Sequence, residues 1–314
     1  MTRVGVVGIG HTSFGRRSDA TVQEITYEAY RDALADADLD PERIDASVIG
    51  SVPEYHKQRS LAGVIQEYLN LNPRPTWLTE VACASGSAAI RTAWMSIQAG
   101  MHKVVVVIGC QKMTELTTPE ILALMGRVGD VQWESVFGTT FPGYYAMFAQ
   151  RHMHEFGTTE EQMALVGVKN HYYGARNDKA LFRKEITVEK ARASDPVASP
   201  LTVYDCCANA DGAVCLILAA EEEAKEISNK PVWLDGLGCA TSSMSVLRRP
   251  HLTGLPSAEM ASQQAYDMAG VTAADVKVAG VHDCFSIAEI MAYEDLGFCK
   301  KGEGGSFIQE KQSY

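Results

Sequence analysis

The sequence predicts an α/β fold with a mainly parallel sheet. Strand-sized apolar runs alternate with helix-period stretches from Arg3 to Ile108. The run 104–108, VVVVI, is apolar at every position, as a strand covered on both faces should be. Gly10, Pro41, Pro73, Pro75 and Gly100 punctuate the runs.

The elements follow in order. A strand over 3–9 ends in Gly10, and a helix over 22–37 puts Ile25, Ala29, Ala33 and Ala37 on one face. Asp40 and Pro41 suit the end of one element and the start of the next, a strand over 44–49. A short helix over 61–69 is broken by Pro73 and Pro75, and a strand over 76–81 leads to a helix over 83–99. That helix carries Ile90, Ala93, Trp94 and Ile97 at helical spacing, and Gly100 ends it before the buried strand. Residues 112–205 read differently, with methionines, aromatics, loops and a basic stretch of Lys169, His171, Arg176, Lys179, Arg183 and Lys184. The α/β pattern resumes with a strand over 213–218, a charged linker over 221–230 and a strand over 231–237. The expected division is a first half of 1–111 with 206–228, an insertion of 112–205, and a second half of 229–314.

Composition bounds the function. Of 314 residues, 46% are hydrophobic and 21% charged, enough to bury a sizeable core. No run approaches the roughly 18 apolar residues that would span a bilayer, and the N-terminus lacks a secretory pattern. The net charge of −11 argues against a nucleic-acid partner, while a local basic cluster could still take a phosphate. Eight cysteines without a C-x-x-C pair suggest reduced thiols in a cytoplasmic protein and no metal site.

An internal repeat is visible in pattern. Residues 37–49 and 269–281 both run helix end, polar turn, strand, at an offset of 232 residues, although few identities support it and chance similarity is the competing reading. If the repeat is real, the fold is two similar α/β halves.

Two positions carry chemistry. Cys83, in Ala82-Cys83-Ala84-Ser85-Gly86, stands between a strand and the long helix. A thiol at a helix N-terminus is expected to have a lowered pKa and to serve as an acyl-accepting nucleophile, against the alternative of a buried structural cysteine. His282, in Gly280-Val281-His282-Asp283-Cys284-Phe285, is expected after a strand and before a helix over 286–296, where it could stabilise an oxyanion or simply be a structural histidine. Other signals are weaker. Gly5, Gly8, Gly10 and Gly15 do not form a dinucleotide fingerprint, and His152 and His154 are two apart, a poor metal pair on a helix. Arg248 and Arg249 read as surface residues that could meet a phosphate.

The segments VGVVGIGHTSFG, VACASGSAAI, VVVVIGCQKMTE, VKNHYYGARN, LTVYDCCANADGAVCLILA and VHDCFSIAEIMAYEDLGF cover essentially the whole chain. Together they resemble the thiolase superfamily, most of all its sterol-carrier-protein-type branch and the related archaeal acetyl-CoA acetyltransferases. CASGS is informative mainly through its order with NADGA and HDCF. The resemblance implies a thiolase-like five-layered αβαβα fold from two related halves, with an inserted loop domain. It implies a thiolase-type C-acyltransferase of lipid metabolism that forms or cleaves acetoacetyl-CoA or another 3-oxoacyl-CoA. Cys83 would be the nucleophile. His282 would help form an oxyanion hole, standing where other thiolases carry Asn, and Phe285 would line the pantetheine channel. The insertion 112–205 would cover that channel and hold CoA. No cofactor is implied beyond the CoA thioester substrates. The implied partners are a second copy, as a homodimer or dimer of dimers, and a small zinc-ribbon and OB-fold protein. A CoA-thioester retro-aldolase and a non-catalytic subunit are the rival readings.

Members of this family also carry a later G-H-P motif, whose His activates the nucleophile, and a C-terminal C-x-G motif, whose Cys handles the α-proton. Neither occurs in these 314 residues. The expectation is that a C-terminal segment bearing them lies outside this sequence. A partner chain supplying it, or a chain that does not catalyse, are the alternatives, and intact mass distinguishes the first from the others.

Overall fold

The computed structural model describes residues 2–314. In chain order its elements begin with β1 (Val4–His11), α1 (Val22–Ala37), β2 (Ala46–Gly50), α2 (Leu61–Tyr68), β3 (Thr76–Thr79), α3 (Ser85–Gln98) and β4 (Val104–Lys112). Then come α4 (Thr118–Met125), α5 (Phe141–Phe156), α6 (Glu160–Gly174), α7 (Val188–Arg192), β5 (Pro196–Ala198), β6 (Leu201–Thr202) and β7 (Asp211–Ala220). The chain ends with α8 (Glu221–Ile227), β8 (Val232–Trp233), α9 (Pro256–Ala269), α10 (Ser286–Asp295) and α11 (Gly304–Gln309). Two compact units result, Met1–Ile121 with Asn209–Asp235 and Leu122–Ala208 with Gly236–Tyr314. No helix among the described residues is long and apolar enough to cross a membrane.

The first unit is built on a six-stranded sheet of order β3-β2-β4-β7-β1-β8. β2 pairs parallel with β3 and β4, while β7 runs antiparallel to β4 and β1, and β8 antiparallel to β1. The sheet is therefore mixed rather than mainly parallel. β7 enters after the long excursion that follows β4 and folds back along it, with Lys112 opposite Asp211. Both faces of β4 are covered, which explains its unbroken apolar run. Val104, Val106 and Ile108 join the core of α1 and α2, whereas Val105 and Val107 join that of α3. Helix, sheet and helix thus form three layers.

α1 begins in a capping box. Thr21 Oγ1 accepts from the Glu24 N–H at 3.2 Å, and Glu24 Oε2 accepts from the Thr21 N–H at 2.7 Å. The helix lies so close to β1 that a Cβ on Gly10 would stand 1.8 Å from the Ala29 carbonyl oxygen. The buried Asp211 anchors the start of β7. It accepts from the Thr114 N–H at 2.8 Å, the Thr114 hydroxyl at 2.6 Å and the Arg17 N–H at 2.9 Å, with Lys112 Nζ at 3.5 Å.

The second unit gathers α5, α6, α10 and α11 around a core that includes Phe141, Phe148, Met163, Leu201, Ile287, Ile290, Met291 and Ile308. α10 is enclosed on all sides, so even its carboxylates Glu289, Glu294 and Asp295 are buried. Each is paired, as burial of charge requires. Lys169 Nζ stands 2.7 Å from Glu289, His152 Nε2 stands 3.2 Å from Glu294, and Lys301 Nζ reaches Glu294 at 3.2 Å and Asp295 at 2.8 Å.

Most boundaries fall within a residue or two of those expected, but two strands do not form as read. The strand expected over 231–237 is reduced to Val232–Trp233, which pairs with β1. The strand expected ahead of His282 is absent. Residues 277–281 have no backbone ladder partner among the described residues, and Val278 is 91% exposed. β-propensity alone does not make a strand without a neighbour to bond. The repeat is otherwise present in form, for 3₁₀ turns occur at Pro41–Arg43 and at Ala273–Asp275.

Candidate active site

Cys83 stands on an elbow in the first unit. After β3 the chain turns sharply at Ala82, a non-glycine residue with φ of +45°. Such a conformation costs of order 1–3 kcal/mol and persists only when its surroundings hold it. Ser85 does much of the holding. Its hydroxyl accepts from the Val81 N–H at 2.9 Å and donates to the Ala82 carbonyl at 2.7 Å. The Ala84 and Ser85 N–H groups donate back to the Val81 and Ala82 carbonyls, and Glu80 Oε1 accepts from the Ala82 N–H at 2.6 Å. Gly50 admits the helix start from below, since a Cβ there would lie 2.7 Å from the Ser85 carbonyl oxygen.

The helix does not begin at residue 83 as expected. The helix starts at Ser85, with Ala84 as its cap, so Cys83 precedes the first turn. Two leading N–H groups are already committed to the elbow. The thiol keeps an open surface, but the protein crowded around it pushes its pKa above the ordinary thiol value, opposed by a backbone hydrogen bond at Cys83 itself. Burial therefore raises the Cys83 thiol where a lowering was expected. Burial, and after it the neighbouring Cys83, push the Tyr55 hydroxyl up to about 12, leaving a neutral donor near the thiol.

His282 and Phe285 belong to the second unit, on the segment leading into α10. His282 is exposed on one side, and burial on the other lowers its imidazole below the ordinary histidine value, favouring the neutral ring. Phe285 is buried, stacked on Tyr145 with ring centroids 4.5 Å apart and tilted on Phe141 at 5.5 Å. The Cys207 N–H donates to the Cys284 carbonyl at 3.0 Å and ties the segment down.

Asp283 opens a buried polar cluster that the sequence did not reveal. The Asn170 amide donates to Asp283 and, at 2.8 Å, to Glu289. Lys169 Nζ donates to Asn170 Oδ1 at 2.6 Å, and the Tyr293 hydroxyl donates to Glu289. Burial and then the Glu289 charge raise the Asp283 carboxyl above the usual carboxylate range. Lys169 is thus spent inside the protein rather than offered to a phosphate. Of the other basic residues singled out, Arg176 pairs with Glu185 at 2.7 Å and lies over the Tyr172 ring, and His171 Nδ1 meets the Lys184 carbonyl at 2.8 Å. Glu289 could have been suspected from a carboxylate set between Ile287 and Ile290; Asn170 gave no such signal.

The first unit presents a cysteine on an elbow ahead of α3, and the second a His-Asp-Cys-Phe segment ahead of α10. The comparisons supply the family. The thiolase N-terminal domain matches residues 4–222, and the thiolase C-terminal domain-like family matches 238–314. The chain belongs to the thiolase family. It is 36% identical to an acetyl-CoA acetyltransferase of Methanothermobacter thermautotrophicus over 99% of this chain and 81% of that protein. It is 37% identical to an acetyl-CoA acetyltransferase of Methanocaldococcus jannaschii over 99% and 80%. Among solved structures, an Ltp2-ChsH2(DUF35) aldolase superposes with a TM-score of 0.86 at 26% identity, covering 98% of this chain and 80% of that one.

Proposed function

We propose that the chain catalyses Cys83-dependent acyl transfer between CoA thioesters, forming or cleaving acetoacetyl-CoA or another 3-oxoacyl-CoA. The acyltransferase class rests on family membership and on near-full-length likeness to two acetyl-CoA acetyltransferases. The elbow that carries Cys83 at the head of α3 supports the choice of nucleophile.

In this reading the Cys83 thiol gives up its proton and its sulfur attacks the carbonyl carbon of an acyl-CoA. The bond to CoA breaks, and CoA leaves and takes up a proton. A second acyl-CoA then loses an α-proton, and its carbanion attacks the Cys83 thioester. The Cys83 sulfur departs as the new carbon–carbon bond forms and takes up a proton, so that the α-proton released balances the thiol regenerated. Neutral His282 donates toward an oxyanion, and stabilisation there is worth most in a water-poor site. Phe285 backs the wall of the pantetheine channel, and residues 112–205 cover it. No cofactor is required beyond the thioesters. We place the protein in the cytoplasm, in lipid metabolism, as a homodimer or dimer of dimers, with a small zinc-ribbon and OB-fold partner; the Ltp2-ChsH2(DUF35) neighbour supports a partner protein in general terms.

Exchange of labelled CoA into acetyl-CoA tests the first half-reaction. It is expected to proceed with the wild-type protein carrying the expected C-terminal segment and to stop with Cys83→Ser; exchange surviving the substitution would overturn the assignment. The likeness to an aldolase favours one rival, a CoA-thioester retro-aldolase, whose carbon–carbon cleavage should survive Cys83→Ser.

A further inference from the structure

We infer that Asn170 is a positioning residue, which sets His282 by clamping the adjacent Asp283 to the buried Glu289. The inference rests on the role of His282 proposed above. The segment carrying His282 has no strand to hold it, since residues 277–281 make no backbone ladder among the described residues. Its fixed points are Cys284, bonded through its carbonyl to the Cys207 N–H, and Asp283, bonded through its side chain to Asn170.

The clamp leaves the amide no freedom. Asn170 offers two N–H donors, and they go to Asp283 and Glu289, while its oxygen takes the ammonium of Lys169 at 2.6 Å. Turning the amide over would set its oxygen against two carboxylates and its NH₂ against an ammonium. Glu289 is in turn held by Lys169 of α6 at 2.7 Å and by the hydroxyl of Tyr293, one turn further along α10 itself. Asn170 therefore ties α6 to the base of α10 and fixes the peptide next to His282. Without it, Asp283 keeps only its contact with Glu289, itself part of α10, and loses its tether to α6, which frees residues 282–283 to swing outward.

The test is a double-mutant cycle on purified protein, following acetyl-CoA-dependent acyl transfer. Asn170→Ala is expected to lower kcat roughly tenfold to a hundredfold, the scale of an ångström-sized misplacement, with a much smaller change in KM. Combined with His282→Ala it should add little to the single His282 effect. Asp283→Ala should reproduce the loss. Asp283→Asn keeps an oxygen for Asn170 and should stay within about threefold of wild type. Additive effects of Asn170→Ala and His282→Ala would overturn the inference, as would Asp283→Asn behaving like Asp283→Ala. If Asn170→Ala does not fold, the two Asp283 variants decide alone. A wild type that transfers no acyl group, or a His282→Ala without effect, would instead refute the proposed function.

Discussion

Gly8 packs against Ala33 so closely that a Cβ on Gly8 would lie 2.6 Å from the Ala33 carbonyl oxygen. Gly236 stands in the same relation to Ala265, at 2.2 Å, and Gly238 to Ala261 as Gly10 to Ala29. In both units an extended segment with alternate glycines is pressed onto a helix with small residues at every fourth position. The two halves suspected from 37–49 and 269–281 thus share a packing device as well as a pattern, and the helix partners keep the offset of 232 residues.

Gly10→Ala is the sharpest test of that device, because the added methyl meets backbone at 1.8 Å, and backbone cannot rotate away. The variant should lose about 1–3 kcal/mol of stability, as overpacking does. Gly63→Ala on α2, which has nothing within 4 Å, should instead be neutral or gain up to about 1 kcal/mol. Urea denaturation midpoints of the two variants check the contrast.

Asp211 gives a pH dependence with a defined sign. Burial alone would raise its carboxyl, but the hydrogen bonds from Thr114 and Arg17, with the Lys112 charge, outweigh it and hold the pKa below the ordinary aspartate value. A group lowered on folding contributes stability that is present above the unfolded-state pKa and lost as pH falls through the folded-state one. Asp211→Asn should therefore destabilise the protein by about 1–3 kcal/mol at neutral pH, and the gap to wild type should close in acid. Denaturation midpoints at a series of pH values report it.

Cys83 gives the opposite sign. Its raised pKa keeps the thiol protonated at neutral pH, so iodoacetamide labelling of Cys83 should still be rising with pH where an ordinary exposed thiol has levelled off. Peptide-resolved labelling rates across the alkaline range measure this, and an early plateau would show that another group lowers the thiol pKa.

The first unit was largely legible, because its signals are local and redundant. α1 was legible from its apolar face of Ile25, Ala29, Ala33 and Ala37; the structure adds a capping box at Thr21 and Glu24. Cys83 was found by its place between a strand and a helix, but its electrostatics were not. They depend on how the folded protein crowds the thiol, and nothing in the side-chain pattern announces that or the left-handed Ala82 beside it. Residues 231–237, most of which belong to the first unit, and 277–281 in the second have strand-like composition, yet strands need neighbours that lie elsewhere in the chain. The carboxylates of α10 were equally hidden, since a buried Glu289 and an exposed one look alike until Lys169 and Asn170 are brought to it from more than a hundred residues away.

The central claim is that Cys83 takes up the acyl group. The most direct measurement is mass spectrometry of the protein quenched after mixing with acetyl-CoA, with the adduct mapped to its peptide. The account predicts one acetyl group on Cys83, absent from Cys83→Ser and discharged by added CoA. Acetylation of a different cysteine, persisting in Cys83→Ser, would contradict it.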